Sequence, residues 1–321
     1  MKKLFALLAS VSIASGVAAC GASNGGGADG AGAGKAGSNG AGGTGGFQVD
    51  FSNGGRPASG ATGGSGNVNS PGSSENGGCR KVDLVFAVDN SSSMQEEKKA
   101  LASDVFPKFA KALRDVGGGL DDYRVGVIDA CPKPATLHVK GTSGACNFAG
   151  GQTWMQSASA NLEQEFACVG SIDSADTQCS GRNDDEQPAS SASAVVEASL
   201  AGTANKDFIR KDALLVVVAI TDEDEQPVPA MSTSQLFERM KALKGGDASR
   251  IVFLGIGGTK ACQGLYGDAE EAKRLKELTG LFEAAQRGVF WDLCAGKLED
   301  GLTQAMSVIN KACEAFVPVV L

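Results

Sequence analysis

The stretch VDLVFAVDNSSSMQ, residues 82 to 95, decides how this chain is read. Its first seven residues are apolar apart from Asp83, as in a strand buried on both faces of a parallel sheet. It then empties into Asp89, Asn90 and three serines. A strand bound for the core that ends in a knot of oxygen atoms needs something for those oxygens to hold.

The same pattern returns downstream. ALLVVVAI, residues 213 to 220, reads as a second fully buried strand and runs straight into Thr221-Asp222-Glu223-Asp224-Glu225. Further strands are expected at 123–128, 250–258 and 289–293. Helices are expected from about Ser93, at 160–170, 189–200, 236–243 and 269–278, and at 298–315. In the first helix Leu101, Val105, Phe109 and Leu113 share one face, and Pro107 should kink or split it after Phe106. Strands alternating with helices predict an α/β fold, a doubly wound, mostly parallel sheet with helices on both faces. Ligands of such sheets bind beyond the carboxyl ends of the strands, where both oxygen-rich segments lie.

The ends of the chain point to export. Lys2 and Lys3 precede a short apolar run, Leu4 to Ile13, and small residues lead to Cys20. This reads as a secretory signal over residues 1–19. The segment Val17-Ala18-Ala19-Cys20 resembles a bacterial lipobox, which implies lipidation of Cys20 and anchoring in the cell envelope. Gly21 after the cysteine points to the outer membrane. Residues 20–78 hold 22 of the 45 glycines, with Ser, Asn and Ala in most gaps. Such a composition predicts a disordered tether with a reach of roughly 40 Å. Residues 79–321, about 240 in number, suffice for one α/β domain with a sizeable core.

A formal charge of −8 and a pI near 4.9 exclude a nucleic-acid binder and suit a cation binder. Besides Cys20, eight cysteines remain, an even number that reads as disulfides in an exported chain. Eight allow 105 pairings. Pairing sequence neighbours gives Cys131–Cys146, Cys168–Cys179 and Cys262–Cys294, with Cys79–Cys313 closing the domain. No C-x-x-C spacing and a single histidine argue against zinc.

Asp89, Ser91 and Ser93 have the spacing Asp-x-Ser-x-Ser, which lets one carboxylate and two hydroxyls converge at a tight turn. These are hard oxygen ligands suited to Mg²⁺, with Ca²⁺ or Mn²⁺ as alternatives. Together with ITDEDE after a later strand, the motif resembles a von Willebrand factor type A (VWA) domain with its metal-ion-dependent adhesion site. DNSSSMQEE, EQP and TDEDE segments behind a Gly-rich tether are similar, in particular, to cysteine-rich VWA lipoproteins of myxobacteria. The resemblance covers residues 79 to 313. It implies that Asp89, Ser91 and Ser93 form the first ligand loop and that Asp222 is the distal aspartate. It also implies a partner, protein or surface, offering a carboxylate or other oxygen to the metal. The family's threonine ligand is missing from RNDDEQP, residues 182–188, where Glu186 is the best substitute and Asp185 the next.

A simpler reading competes: Ser93 and Glu96 fit a capping box, so the serines could merely start a helix. Catalysis finds little support. His138 stands alone in an irregular, exposed-looking segment, and no G-x-S-x-G elbow occurs in residues 79–321. The phosphoryl-transfer pattern needs a second Asp where Ser91 stands, and GIGG is too brief for a dinucleotide fingerprint. The expectation is a non-enzymatic binding module that touches a membrane only through its lipid. The rival is a structural envelope protein in which metal and disulfides only stabilise the fold.

Overall fold

The computed structural model describes residues 79–115, 120, 122–172, 185–264 and 267–316. The signal, Cys20, the tether, Cys179 and residues 180–184 lie outside the described residues. In chain order the strands are β1 (Lys81–Val88), β2 (Asp122–Asp129), β3 (Lys140–Gly141), β4 (Gly144–Ala145) and β5 (Met155–Gln156), then β6 (Leu214–Ile220), β7 (Ile251–Gly257), β8 (Cys262–Gly264), β9 (Gly267–Ala269) and β10 (Gly288–Asp292). The helices are α1 (Gln95–Ala100), α2 (Phe106–Asp115), α3 (Leu162–Gly170), α4 (Pro188–Ala201), α5 (Thr233–Leu243), α6 (Lys273–Ala284) and α7 (Leu298–Glu314).

Six strands form the main sheet in the order β10-β7-β6-β1-β2-β5. All neighbours run parallel except β5, which pairs antiparallel with β2 at the edge. β1 sits in the middle, and its alternate side chains feed two cores. Val82, Leu84, Phe86 and Val88 pack with α2, α3 and α7, where Phe86, Phe106, Phe109 and Phe166 meet ring to ring. Val85 and Ala87 pack with α4, α5 and α6 on the other face. The near-continuous apolar runs of β1 and β6 are thus explained by burial on both sides.

One polar residue interrupts β1. Asp83 is fully buried and accepts from Arg210 through both the backbone N–H, at 2.6 Å, and Nε, at 2.8 Å. Lys244, also buried, donates to the Arg210 carbonyl at 2.7 Å. These charges gather at the amino end of the sheet, away from the strand tips.

Pro107 does not split the first helix. A π-helical turn at Leu101–Val105 separates α1 from α2, and the Phe106 N–H reaches back to the Leu101 carbonyl. Widened bonding ahead of the ring accommodates the donor that proline lacks.

Cys79–Cys313 and Cys262–Cys294 are bonded as the sequence suggested. The neighbour rule fails for the other expected pairs, because Cys146 bonds to Cys168. The β3–β4 hairpin packs directly on the end of α3: a Cβ at Gly141 would lie 1.9 Å from the Cys168 carbonyl oxygen. The Thr142 N–H donates to Ser171 O at 2.9 Å, which sets Cys146 opposite Cys168. Cys131 is disulfide-bonded too. No helix among the described residues is long and apolar enough to cross a membrane.

Candidate metal centre

β1 and β6 are neighbours, paired Val88 to Ile220, so the segments that follow them emerge side by side. The Asp89 N–H extends the ladder by one bond, to Ile220 O at 2.9 Å. The chain leaves β1 for β2 on one side and reaches β6 on the other, which opens the crevice of a topological switch point. A third segment closes on the same edge. Glu186 bridges Gln226 through paired backbone bonds of 2.6 and 3.1 Å, and the Gln187 N–H donates to Ala130 O just past β2. The structure therefore brings the loops of Asp89, Glu186 and Asp222 together.

Asp89 is fully buried with both oxygens engaged: Oδ1 accepts from the Ser91 N–H at 2.8 Å and Oδ2 from the Thr221 hydroxyl at 2.8 Å. The hydroxyls of Ser91 and Ser93 lie 2.8 Å apart, and the Ser93 hydroxyl is near enough to Asp222 to favour its ionised form. Asp222 is 3% exposed, and its Oδ1 is buried without any donor. Buried Lys98 fixes the loop from α1, donating to the carbonyls of Asn90 and Ser91 at 2.9 and 3.0 Å. The helix-cap reading of the serines does not hold: Met94 occupies the N-cap of α1, and no side chain caps it.

Electrostatics set the edge apart. Burial first, then the charge of Asp89, pushes Asp222 up to about 6. Burial, the charges of Asp89 and Glu223 and a hydrogen bond to Glu223 push Glu186 up to about 8. Burial and Asp222 push Glu97, on α1, up to about 7. Burial also raises Asp89, against the bonds from Ser91 and Thr221. Unfolded carboxyls titrate near 4. The folded domain thus holds these protons more tightly than the unfolded chain does, and their ionisation costs stability. With EDTA present, stability should fall as pH rises from about 4 through about 8; thermal unfolding across that range checks it.

The serine hydroxyls and the open Asp222 oxygen suit a hard cation. The acids do not form a ready-made cage, however. Among the described residues, one group of three acid, Cys or His donors falls within 4.8 Å of one another, and it is Cys262, Asp292 and Cys294. Its two sulfurs are joined in a disulfide, and Asp292 already accepts from Thr259 and Cys294, so no thiolate is on offer there.

Two further residues were misjudged or missed in the sequence. His138 is buried, not exposed: it is 2% accessible, with Nε2 3.0 Å from Oδ2 of buried Asp129. That dyad is sealed from solvent. Thr221 had no assigned role, yet its hydroxyl orients Asp89; its place directly before Asp222, at the tip of a buried strand, was the available signal.

No protein-family model matches the chain, and no curated protein matches it. Among solved structures, two crystal forms of proximal thread matrix protein 1 from the mussel byssus are similar at 15% identity. They cover 71% and 73% of this chain and 48% of theirs, with TM-scores of 0.41 and 0.40. The chain spans about half the length of those mussel proteins. A manganese-loaded TRAP protein of Plasmodium vivax is similar at 13% identity, covering 73% of this chain and 74% of its own, with a TM-score of 0.35. The reading of the site rests on its own residues.

Proposed function

We propose that this protein is a cell-envelope-anchored, non-enzymatic VWA-like binding module that holds a divalent cation, Mg²⁺ first among candidates. Ser91 and Ser93 would ligate directly. Asp222 would ligate through its open oxygen, and Asp89 through water, since its own oxygens are engaged. The observation that carries this reading is the buried, donorless Oδ1 of Asp222 beside two hydroxyls and further acids. Carboxylate oxygens only accept, so a donor, a proton or a cation must relieve such a group, and no donor from the described residues does. The anchor rests on the leader and on Cys20 in the sequence. A protein or surface ligand would then supply an oxygen or carboxylate to the metal.

Calorimetric titration of the oxidised protein with Mg²⁺, Ca²⁺ and Mn²⁺ tests this. Saturable binding of one cation is expected; a folded protein that binds none would sink the proposal. A second reading is favoured by Glu186, which is 8% exposed and interacts with both Asp89 and Asp222. If its carboxylate fills the remaining position, the metal is purely structural. Water exchange at bound Mn²⁺ separates the two: an open site keeps exchangeable water on the metal, and a closed one does not.

A further inference from the structure

A groove of about 860 Å³ opens beside the strand tips, between the start of α1 and the β8–β9 hairpin. Its lining includes five carboxylates, Glu96, Asp222, Glu223, Asp268 and Glu270, and no lysine, arginine or histidine among the described residues. Asp222 makes the groove continuous with the candidate cation site, and the donorless Oδ1 of this nearly buried side chain belongs to both. Two links tie the base of the hairpin wall to the rest of the domain. The Glu270 N–H donates to Asp222 O at 2.7 Å, and Cys262–Cys294 ties the hairpin to the end of β10.

From this groove we infer the chemistry of the partner: a polypeptide segment that places lysine or arginine side chains between α1 and the β8–β9 hairpin while its oxygen meets the metal. The inference rests on the binding-module reading and gives it a specificity. A bare carboxylate approaching the cation would have to pass five acids of its own sign. One flanked by cationic side chains would be drawn in, because complementary charge steers encounter and rejects wrong partners. This chain's own glycine-rich segment has only Lys35 and Arg56 as basic residues between 20 and 78, far apart in sequence, and so lacks the clustered cationic side chains the groove favours. A second copy carries the same net charge of −8, which opposes self-association.

The test is fluorescence anisotropy on the full chain with labelled peptides of equal length, in Mg²⁺ and in EDTA. One peptide carries a central Asp flanked by lysines, another the same Asp flanked by serines, and a third the lysines around Asn. The protein is compared with an E96Q/D268N/E270Q variant, which leaves the proposed ligands in place. In Mg²⁺ the lysine-flanked Asp peptide should bind roughly tenfold more tightly than the serine-flanked one. The variant should lose that preference, as should 1 M salt, where screening acts within about 3 Å. Equal binding of the two peptides, or a preference that survives in the variant, would overturn the inference. Failure of the metal reading looks different: Mg²⁺ would then give no heat, while the Asn peptide in EDTA still reports whether the groove prefers lysines. Absence of that preference beside normal Mg²⁺ binding would remove the groove alone.

Discussion

Asp222→Ala should abolish saturable Mg²⁺ binding, weakening it by at least about 100-fold, while the metal-free domain stays folded. The asymmetry follows from what each acid already does. Asp89 is tied to the Ser91 N–H and the Thr221 hydroxyl, so removing it strips donors of their acceptor and loosens the loop as well as the site. Asp222 holds an oxygen that nothing satisfies and stands against the charge of Asp89. Its removal takes away a ligand and a repulsion together. Without cation, the variant should therefore melt no lower than wild type at pH 8. Calorimetry and thermal unfolding in EDTA check both halves. Wild-type affinity in the variant would mean that the cation, if any, sits elsewhere.

Asp83→Ala should do the opposite, destabilising the domain by about 3–5 kcal/mol while leaving cation affinity unchanged. Asp83 lies in β1 and Asp89 directly follows it, but six residues at about 3.3 Å each put roughly 20 Å between them. Arg210 is only 11% exposed and would lose the buried carboxylate that holds its Nε and backbone N–H, keeping only the half-exposed Asp122 as an ion-pair partner. Nearly buried Lys244 would lose an opposing charge as well. Leaving charges buried without their partner is among the costliest single changes. At about 2–4 °C per kcal/mol for a domain of this size, the melting temperature should drop by roughly 6–20 °C. Urea unfolding beside Mg²⁺ titration measures both, and a drop of less than about 1 kcal/mol would show the cluster to be dispensable.

The parts legible in the sequence are those in which one physical cause dominates. β1, β6 and β7 are buried on both faces and read as apolar runs. Strand ends that turn abruptly acidic marked the candidate site, and the fold brings both to one edge. The rest depends on contacts between distant segments. β5 and the β8–β9 pair are two or three residues long, too short for any period. Proximity in sequence misled the pairing of Cys146, because α3 carries Cys168 back against the hairpin. His138 looked exposed because its partner, Asp129, belongs to the end of β2 rather than to its own loop. Thr221 was hidden by its neighbours: in an acidic run, a single hydroxyl has no pattern of its own.

The Cys79–Cys313 bond has a mechanical consequence. It fastens the residue just ahead of β1 to the last turns of α7, at the end of the sheet opposite the strand tips. A pull on the chain ahead of Cys79 therefore enters through a covalent staple and cannot peel the terminal helix away. To yield, β1 would have to slide lengthwise between β2 and β6, its parallel neighbours on either side, with both hydrogen-bonded ladders loaded at once. Such a shear geometry bears load where an edge strand would unzip bond by bond. A domain held from that end could stay intact while something tugs at the edge formed by its strand tips.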